Sequence, residues 1–145
     1  MILPHYLLDT NILSAVIKQP HGKIAKHLLR LESEQISTSI IVACELRFGA
    51  AKKNAPVLTT RVEQLLSQLT VHALEKDTDR YYGQIRADLE HRGQLIGQND
   101  LLIAAHALTL NAILVTDNVC EFSRVSSLKI ENWRTEGRSL SPSHA

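Results

Sequence analysis

The 145-residue sequence has only two cysteines, few aromatic residues and no long hydrophobic run. Cys44 and Cys120 lie far apart without a CxxC spacing, and the histidines show no zinc-like pairing. This excludes a disulfide framework and the usual zinc motifs, and it favours a reducing compartment. No apolar run approaches about 18 residues, and no basic amino-terminal region precedes an apolar stretch, so neither a membrane span nor a secretory signal is predicted. We therefore expect a cytoplasmic protein.

The sequence also lacks an excess of either charge, with a formal net charge of +1. It therefore carries no global polycationic signature of a nucleic-acid-binding protein. A local basic rim is still compatible with this balance, although a solvated helix surface is the simpler interpretation for most of its candidates. Those candidates are Arg47, Lys52, Lys53, Arg61, Arg86, Arg92 and Arg124.

With so few aromatic residues, the core must be built from Leu, Ile, Val and Ala, which suits buried parallel strands covered by helices. A chain of this length fits one domain, which buries roughly 68 to 70% of its unfolded surface. We place this domain at residues 1–135. Residues 136–145 are rich in Ser and lack a periodic pattern, which predicts a flexible tail.

Apolar periodicity gives an alternating order of strands and helices. Strands are predicted at 2–8, 36–38, 71–74, 112–116 and 128–131, and helices at 12–17, 21–31, 40–53, 57–69, 78–92 and 100–110. This order predicts an α/β fold, in which right-handed crossovers build a short parallel sheet with helices on both faces.

Polar residues mark several predicted helix ends. Ser39 and Asn99 are predicted to cap the helices that follow them, and Asp77 or Thr78 the long helix between. Gly93 and Asn111 are predicted to end helices in the left-handed conformation. Elsewhere the predictions are structural as well: His106, Tyr81, Tyr82 and Trp133 are interpreted as packing residues, and Cys44 as a small buried hydrophobe.

Three carboxylates stand at the ends of apolar elements. Asp9 follows the first strand, Asp100 opens an almost wholly apolar helix, and Glu45 lies beside the apolar face of the helix after the second strand. Strand carboxyl ends and helix amino ends line one crevice in α/β proteins, so these acids are expected to converge. Like charges at about 4 Å repel by roughly 1 to 4 kcal/mol, so the cluster needs a cation or a shared proton.

Each acid also has a structural interpretation. Asp9 could form a turn, and Asp100 could simply complement the helix dipole. Glu45 could pair with Arg47 or Lys52.

The end of the last convincing strand offers Asp117, Asn118 and Glu121, of which one or two could complete the cluster and the others would be ordinary loop residues. Thr10, Asn11 and Thr116 are predicted to orient the carboxylates, although turn formation explains Thr10 and Asn11 nearly as well.

Taken together, these segments resemble the PIN-domain ribonucleases and, more narrowly, the VapC toxins of bacterial toxin–antitoxin pairs. The resemblance runs from about Ile2 to Trp133. It is carried by Leu8-Asp9-Thr10-Asn11-Ile12, Glu45-Leu46-Arg47-Phe48-Gly49, Gly97-Gln98-Asn99-Asp100-Leu101-Leu102-Ile103-Ala104-Ala105-His106-Ala107, Val115-Thr116-Asp117-Asn118 and Glu121-Phe122.

The resemblance implies a PIN fold and a Mg²⁺- or Mn²⁺-dependent endoribonuclease that cleaves structured RNA, such as transfer RNA, and inhibits translation. It also implies a homodimer and a VapB-like antitoxin that covers the site. By matching position, Asp9, Glu45 and Asp100 are the three catalytic acids, with Asp9 and Asp100 holding the metal. The fourth acidic role falls to Glu121 or Asp117; Glu121 is favoured because the Glu-Phe pair recurs in the family, and Asn118 is a supporting residue.

Two other functions fit parts of the pattern. In an aspartyl-phosphate phosphatase or receiver-like domain Asp9 would be the nucleophile, but phosphatases of the dehalogenase type place a second Asp two residues later, where this chain has Asn11. A catalytically silent interaction module could use the same PIN fold, which the retention of all three acids argues against.

Overall fold

The computed structural model describes residues 2–134, which fold around a five-stranded parallel sheet. The strands are β1 (Tyr6–Leu8), β2 (Ile36–Ser39), β3 (Thr70–His72), β4 (Ile113–Val115) and β5 (Ile130–Glu131). Their order across the sheet is β3-β2-β1-β4-β5, with β1 between β2 and β4. The predicted α/β architecture is therefore confirmed.

Helices flank this sheet. They are α1 (Thr10–Lys18), α2 (Lys23–Leu29), α3 (Ile40–Lys53), α4 (Pro56–Ser67), α5 (Thr78–His91), α6 (Gln98–Thr109) and α7 (Val119–Phe122), with a 3₁₀ turn at Ser33–Gln35. Leu7 and Leu8 in β1 and Leu114 and Val115 in β4 have no exposed surface, as expected of parallel strands covered on both faces. Within residues 2–134, no helix is long and apolar enough to cross a membrane.

The strand order places a topological switch point at the centre of the sheet. The chain builds outward from β1 to β2 and β3 on one side, and to β4 and β5 on the other. In open parallel sheets, ligands bind in the crevice outside the strand carboxyl ends at such a point. Asp9 follows β1 directly, and its backbone N–H donates to the Val115 carbonyl of β4 at 2.9 Å. The first candidate acid thus lies at this crevice.

Several predicted helix ends are confirmed. The Ser39 hydroxyl accepts a hydrogen bond from the Ile41 N–H at 3.1 Å and so caps α3. Gly93 and Asn111 adopt positive φ values of 66° and 52° just after α5 and α6. Asp77 precedes α5 but has a φ of 85°, and its side chain makes no capping hydrogen bond.

The prediction that Asn99 caps the next helix is wrong. Helix α6 begins two residues earlier than predicted, at Gln98, with Gly97 at the N-cap position. The Gly97 carbonyl accepts the first helical hydrogen bond, from the Leu101 N–H at 2.9 Å. Asn99 therefore lies in the first turn, where its side chain is free to reach another helix.

Several predicted strands were too long, and one helix was missed. Only Tyr6–Leu8 of residues 2–8 is a strand, because Pro4 has no N–H to donate and Ile2 is almost fully exposed. Strand β5 is two residues long rather than four. Helix α7 was not predicted, since four residues are too few for an apolar period to be visible.

Two packing predictions also need correction. Cys44 is exposed, because the buried side of α3 is occupied by Val42, Ala43, Leu46 and Ala50. Tyr81 is 37% exposed and lies outside the core. His106 and Trp133 are buried as predicted, with the Trp133 ring stacked on His27 at a centroid distance of 3.9 Å. The predicted tail, 136–145, lies outside the described residues.

Candidate active site

Asp9 is held rigidly at the switch point. The residue is 5% exposed, and both of its carboxylate oxygens accept hydrogen bonds. Oδ1 accepts from the Thr10 N–H at 2.8 Å, and Oδ2 accepts from the Thr116 hydroxyl at 2.7 Å. The Thr116 hydroxyl accepts in turn from the Asn118 N–H at 3.0 Å, which fixes its orientation.

Glu45 is brought to Asp9 by Thr10. The Thr10 hydroxyl donates to Glu45 Oε1 at 2.5 Å while its backbone N–H bonds to Asp9, so one residue joins β1 to α3. Glu45 Oε2 accepts a longer bond, 3.3 Å, from Asn99 Nδ2 of α6. Three segments distant in sequence therefore meet at this carboxylate.

The structural alternative for Glu45, an ion pair with Arg47 or Lys52, is wrong. Arg47 instead makes two hydrogen bonds to Glu63 on α4, at 2.8 and 2.9 Å. The Lys52 ammonium lies over the Phe48 ring, 5.9 Å from its centroid. Within residues 2–134, Glu45 therefore forms no ion pair with Lys or Arg.

Asp100 in the first turn of α6 meets Glu121 of α7. Burial, the hydrogen bond to Glu121 and the charges of Asp9, Glu121 and Glu45 raise the pKa of Asp100 to about 7. Burial also raises the pKa of Asp9, as do the charges of Glu45 and Asp117, while the hydrogen bonds from Thr116 and Thr10 lower it. These mutual effects show that the acids share one electrostatic environment.

Asp117 stands on another side of this site. Its Oδ1 accepts from Asn11 Nδ2 at 3.2 Å, and its Oδ2 pairs with the Arg134 guanidinium, also at 3.2 Å. Asn11 therefore orients Asp117 rather than Asp9. Asn118 supports the site through its backbone N–H, which donates to Thr116.

Two residues at the site were not predicted from the sequence. Asn99 was interpreted as a helix cap, and its hydrogen bond to Glu45 became apparent only with the packing of α6 on α3. Arg134 follows the last strand without any local motif, so no sequence signal was available for it.

The donor chemistry of the site suits a hard divalent cation. Carboxylate oxygens from Asp9, Glu45, Asp100 and Glu121 are the ligands that Mg²⁺ and Mn²⁺ prefer. Within residues 2–134, none of these four acids forms an ion pair with Lys or Arg. In the same residues, no three His, Cys, Asp or Glu side chains are already arranged as metal ligands. A Mg²⁺ held by one or two carboxylates, with water completing its coordination, needs no such trio.

An opening of about 380 Å³ gives access to the acids from the α6 side. It is lined by Glu45, Gly97, Gln98, Asn99 and Asp100. A Cβ added at Gly97 would lie 3.7 Å from Asp100 Oδ2, so this position borders the carboxylate directly. Glu45 and Asp100 can therefore be reached by a solvent-borne ligand.

Comparison with known proteins places this geometry in a family. A family model described as PIN domain matches residues 6–128. The chain is 40% identical over 130 residues to Ribonuclease VapC2 of Rickettsia felis, covering 88% of this chain and 97% of the relative. It is 33% identical over 129 residues to the tRNA(fMet)-specific endonuclease VapC of Shigella flexneri, with the same coverage.

The fold agrees with this match. The crystal structure of VapBC2 from Rickettsia felis, bound to a DNA fragment from their promoter, contains a chain that matches with a TM-score of 0.82 and 38% identity. That match covers 88% of this chain and 98% of the other. This chain therefore belongs to the PIN-domain family, among the VapC ribonucleases of VapBC toxin–antitoxin systems. The phosphatase or receiver-like alternative is not supported.

Proposed function

We propose that this protein is a Mg²⁺- or Mn²⁺-dependent endoribonuclease that cleaves structured RNA and thereby inhibits translation. The observation that carries the proposal is the convergence of Asp9, Glu45, Asp100 and Glu121 from four separate segments of the chain. Four carboxylates without a basic partner would repel an RNA phosphate. A bound divalent cation removes that repulsion and gives the site affinity for the substrate.

In this proposal Asp9 and Asp100 hold the metal, because Asp9 is fixed by two hydrogen bonds and Asp100 faces the access opening. When bound, the cation supplies Lewis-acid stabilisation of the phosphodiester and lowers the pKa of water. Glu45 orients the attacking water through Oε2. This oxygen accepts the longer of the two hydrogen bonds made to Glu45, the one from Asn99. No nucleophilic side chain is needed, and the expected products carry a 5′-phosphate and a 3′-hydroxyl.

The fourth acidic position is assigned to Glu121. Its carboxylate contacts Asp100, whereas both oxygens of Asp117 are engaged by Asn11 and Arg134. Glu121 is therefore placed to share the cation or its waters with Asp100.

The substrate and partners follow from the relatives. The name of the Shigella flexneri relative supports transfer RNA, and initiator tRNA in particular, as the target. The neighbouring solved structure is a VapBC complex, which supports a VapB-like antitoxin as the partner that covers this site. We further propose that the protein acts in the cytoplasm as a homodimer.

Incubation of the purified protein with an initiator tRNA transcript tests the proposal. We expect endonucleolytic cleavage with Mg²⁺ or Mn²⁺ and none with a chelator, with activity returning when metal is added back. The D100N variant, purified in parallel, controls for a contaminating nuclease. Cleavage that persists with chelator or in D100N would contradict the proposal, and a wild-type protein that binds tRNA without cutting it would indicate a silent interaction module.

A further inference from the structure

Arg134 places a positive charge at the edge of the acid site. Its Nη1 lies 3.2 Å from Asp117 Oδ2, and the two side chains are 49% and 26% exposed. Asp117 directly follows Thr116, whose hydroxyl donates to Asp9. The other carboxylate oxygen of Asp117, Oδ1, accepts a hydrogen bond from Asn11 of α1. The guanidinium is therefore connected through one carboxylate to the two segments that hold Asp9.

The backbone of Arg134 is fixed from the interior. Its N–H donates to the Asn132 side-chain oxygen at 3.0 Å. The preceding residue, Trp133, is 1% exposed, its ring stacks on His27, and its Nε1 donates to Glu131 at 3.0 Å. An arginine whose main chain is anchored in this way loses less conformational entropy on binding a ligand than one on a free surface.

The Arg134 side chain is half-exposed, at 49% of its surface. A guanidinium has five N–H donors, of which Asp117 accepts one. Beside it lies a cavity of about 300 Å³, bounded by Arg134 and by residues of α1 and the start of α2, including Ala15, Gln19 and Ile24. Within residues 2–134, Asp117 thus orients the guanidinium and occupies only one of its donors, which suits binding of an oxyanion from solution.

The substrate proposed above is a polyanion, and the side chains at the switch point are acids, so the two repel each other. A phosphate next to the scissile bond is repelled by these acids and attracted by a half-exposed guanidinium at their edge. We propose that Arg134 binds a backbone phosphate of the RNA flanking the cleavage site, and that Asp117 is its positioning residue rather than a metal ligand. This inference rests on the proposed ribonuclease function.

Binding and turnover are measured separately to test it. Binding of a fluorescent initiator tRNA transcript is followed by anisotropy at fixed Mg²⁺ across a NaCl series, in a D100N background that is expected not to cut. R134Q should weaken binding about five- to tenfold and lower the slope of log affinity against log salt by about 0.7 to 0.9, the loss of one phosphate contact. R134K should restore the slope but only part of the affinity, because an ammonium lacks the guanidinium fork.

In the active background, R134Q should raise KM while leaving kcat and the half-saturating Mg²⁺ concentration within about twofold of wild type. D117N should change KM in the same direction with no change in metal requirement, and the double variant should bind no worse than R134Q alone. R80Q is the matched control, because Arg80 also pairs with an exposed Asp, Asp77, at the start of α5.

Wild-type affinity and salt slope in R134Q would overturn the proposal, as would a raised Mg²⁺ requirement in D117N. An equal loss of affinity in R80Q would also overturn it, since the effect would then be general charge. If the wild type fails to cleave, the proposed function fails, but the anisotropy comparison still decides whether Arg134 contacts RNA.

Discussion

Two clusters of polar side chains lie within the same apolar fold and differ in the charge that they carry. The acid site consists of Asp9, Glu45, Asp100 and Glu121. The histidine–serine cluster consists of Ser37 and Ser39 in β2, His72 in β3, His5 just before β1 and His106 in α6. In this cluster Ser37 Oγ bonds to His5 Nε2 at 2.7 Å and Ser39 Oγ to His106 Nδ1 at 2.8 Å.

Burial favours the uncharged form of two groups in each cluster. It raises the pKa of Asp9 and Asp100 and lowers that of His5 and His106, and the nearby His72 lowers the two histidine values further. The lowered pKa values favour uncharged His5 and His106 near neutral pH. Within residues 2–134, the four acids have no Lys or Arg partner, so the negative charge that they carry is not compensated. Uncompensated charge at an accessible crevice, rather than burial of polar groups as such, makes the acid site the candidate for ligand binding.

The largest effect is expected from Asp9→Asn and Asp100→Asn. Each should lower RNA cleavage by a hundredfold or more, about 3 kcal/mol of transition-state stabilisation, while leaving the fold intact. Single-turnover cleavage and circular dichroism measure the two quantities. Asp79→Asn is the control, because Asp79 lies in the first turn of α5 as Asp100 does in α6. Near-wild-type cleavage in either site variant would remove that residue from the proposed metal ligands.

The histidine–serine cluster should show the opposite pattern. His106 is fully buried and bonds to Ser39, the cap of α3, so His106→Ala should lower the free energy of unfolding by roughly 2 kcal/mol. Cleavage per folded molecule should change little. Urea denaturation measures the loss, with the exposed His91→Ala as control. Stability equal to that of the control would show that the cluster does not hold the fold.

Glu121→Gln should have a smaller effect on the acid site than loss of Asp9 or Asp100. Its contact with Asp100 predicts about a tenfold rise in the Mg²⁺ requirement, roughly 1.4 kcal/mol, together with reduced turnover. A Mg²⁺ titration of cleavage is the measurement, and Glu90→Gln on the exposed face of α5 is the control. An unchanged metal requirement would leave the site with three acids.

The smallest effect is the pH dependence of stability without metal. The Asp100 pKa is about 7 in the folded chain against an ordinary 3.8, so between these values the folded state holds a proton that the unfolded state releases. This contribution is present below pH 3.8 and is lost as pH rises through about 7. The lowered pKa values of His5 and His106 act in the opposite direction, removing stability as pH falls below 6.5.

Melting temperatures in chelator from pH 4 to 8.5 separate the two contributions. D100N should match wild type near pH 4 and become the more stable protein, by a few degrees, as the pH rises to about 7, with little further change above that pH. Saturating Mg²⁺ should abolish that difference by stabilising the wild type alone. A difference independent of pH would contradict the assignment of the raised pKa to Asp100.

The sequence predicted features that depend on neighbours along the chain. Asp9 at a strand end and Asp100 in the first turn of a buried helix were found from local patterns, as were the left-handed ends at Gly93 and Asn111. The same reasoning failed where the local sequence allows two structures. Either Gly97 or Asn99 could be the N-cap of α6, and Cys44 could lie on the buried or the exposed side of α3.

What the sequence determined by itself was the α/β fold and the identity of the three main acids, because short-range periodicity and strand-end polarity are properties of adjacent residues. Only the tertiary structure decided that Thr10 joins Asp9 to Glu45, that Glu121 rather than Asp117 contacts Asp100, and that Arg134 meets Asp117. Each of these contacts joins segments that lie apart in the chain and that the packing of helices on the sheet brings together. Which side chains then come within hydrogen-bonding distance depends on that packing, and no local sequence pattern encodes it.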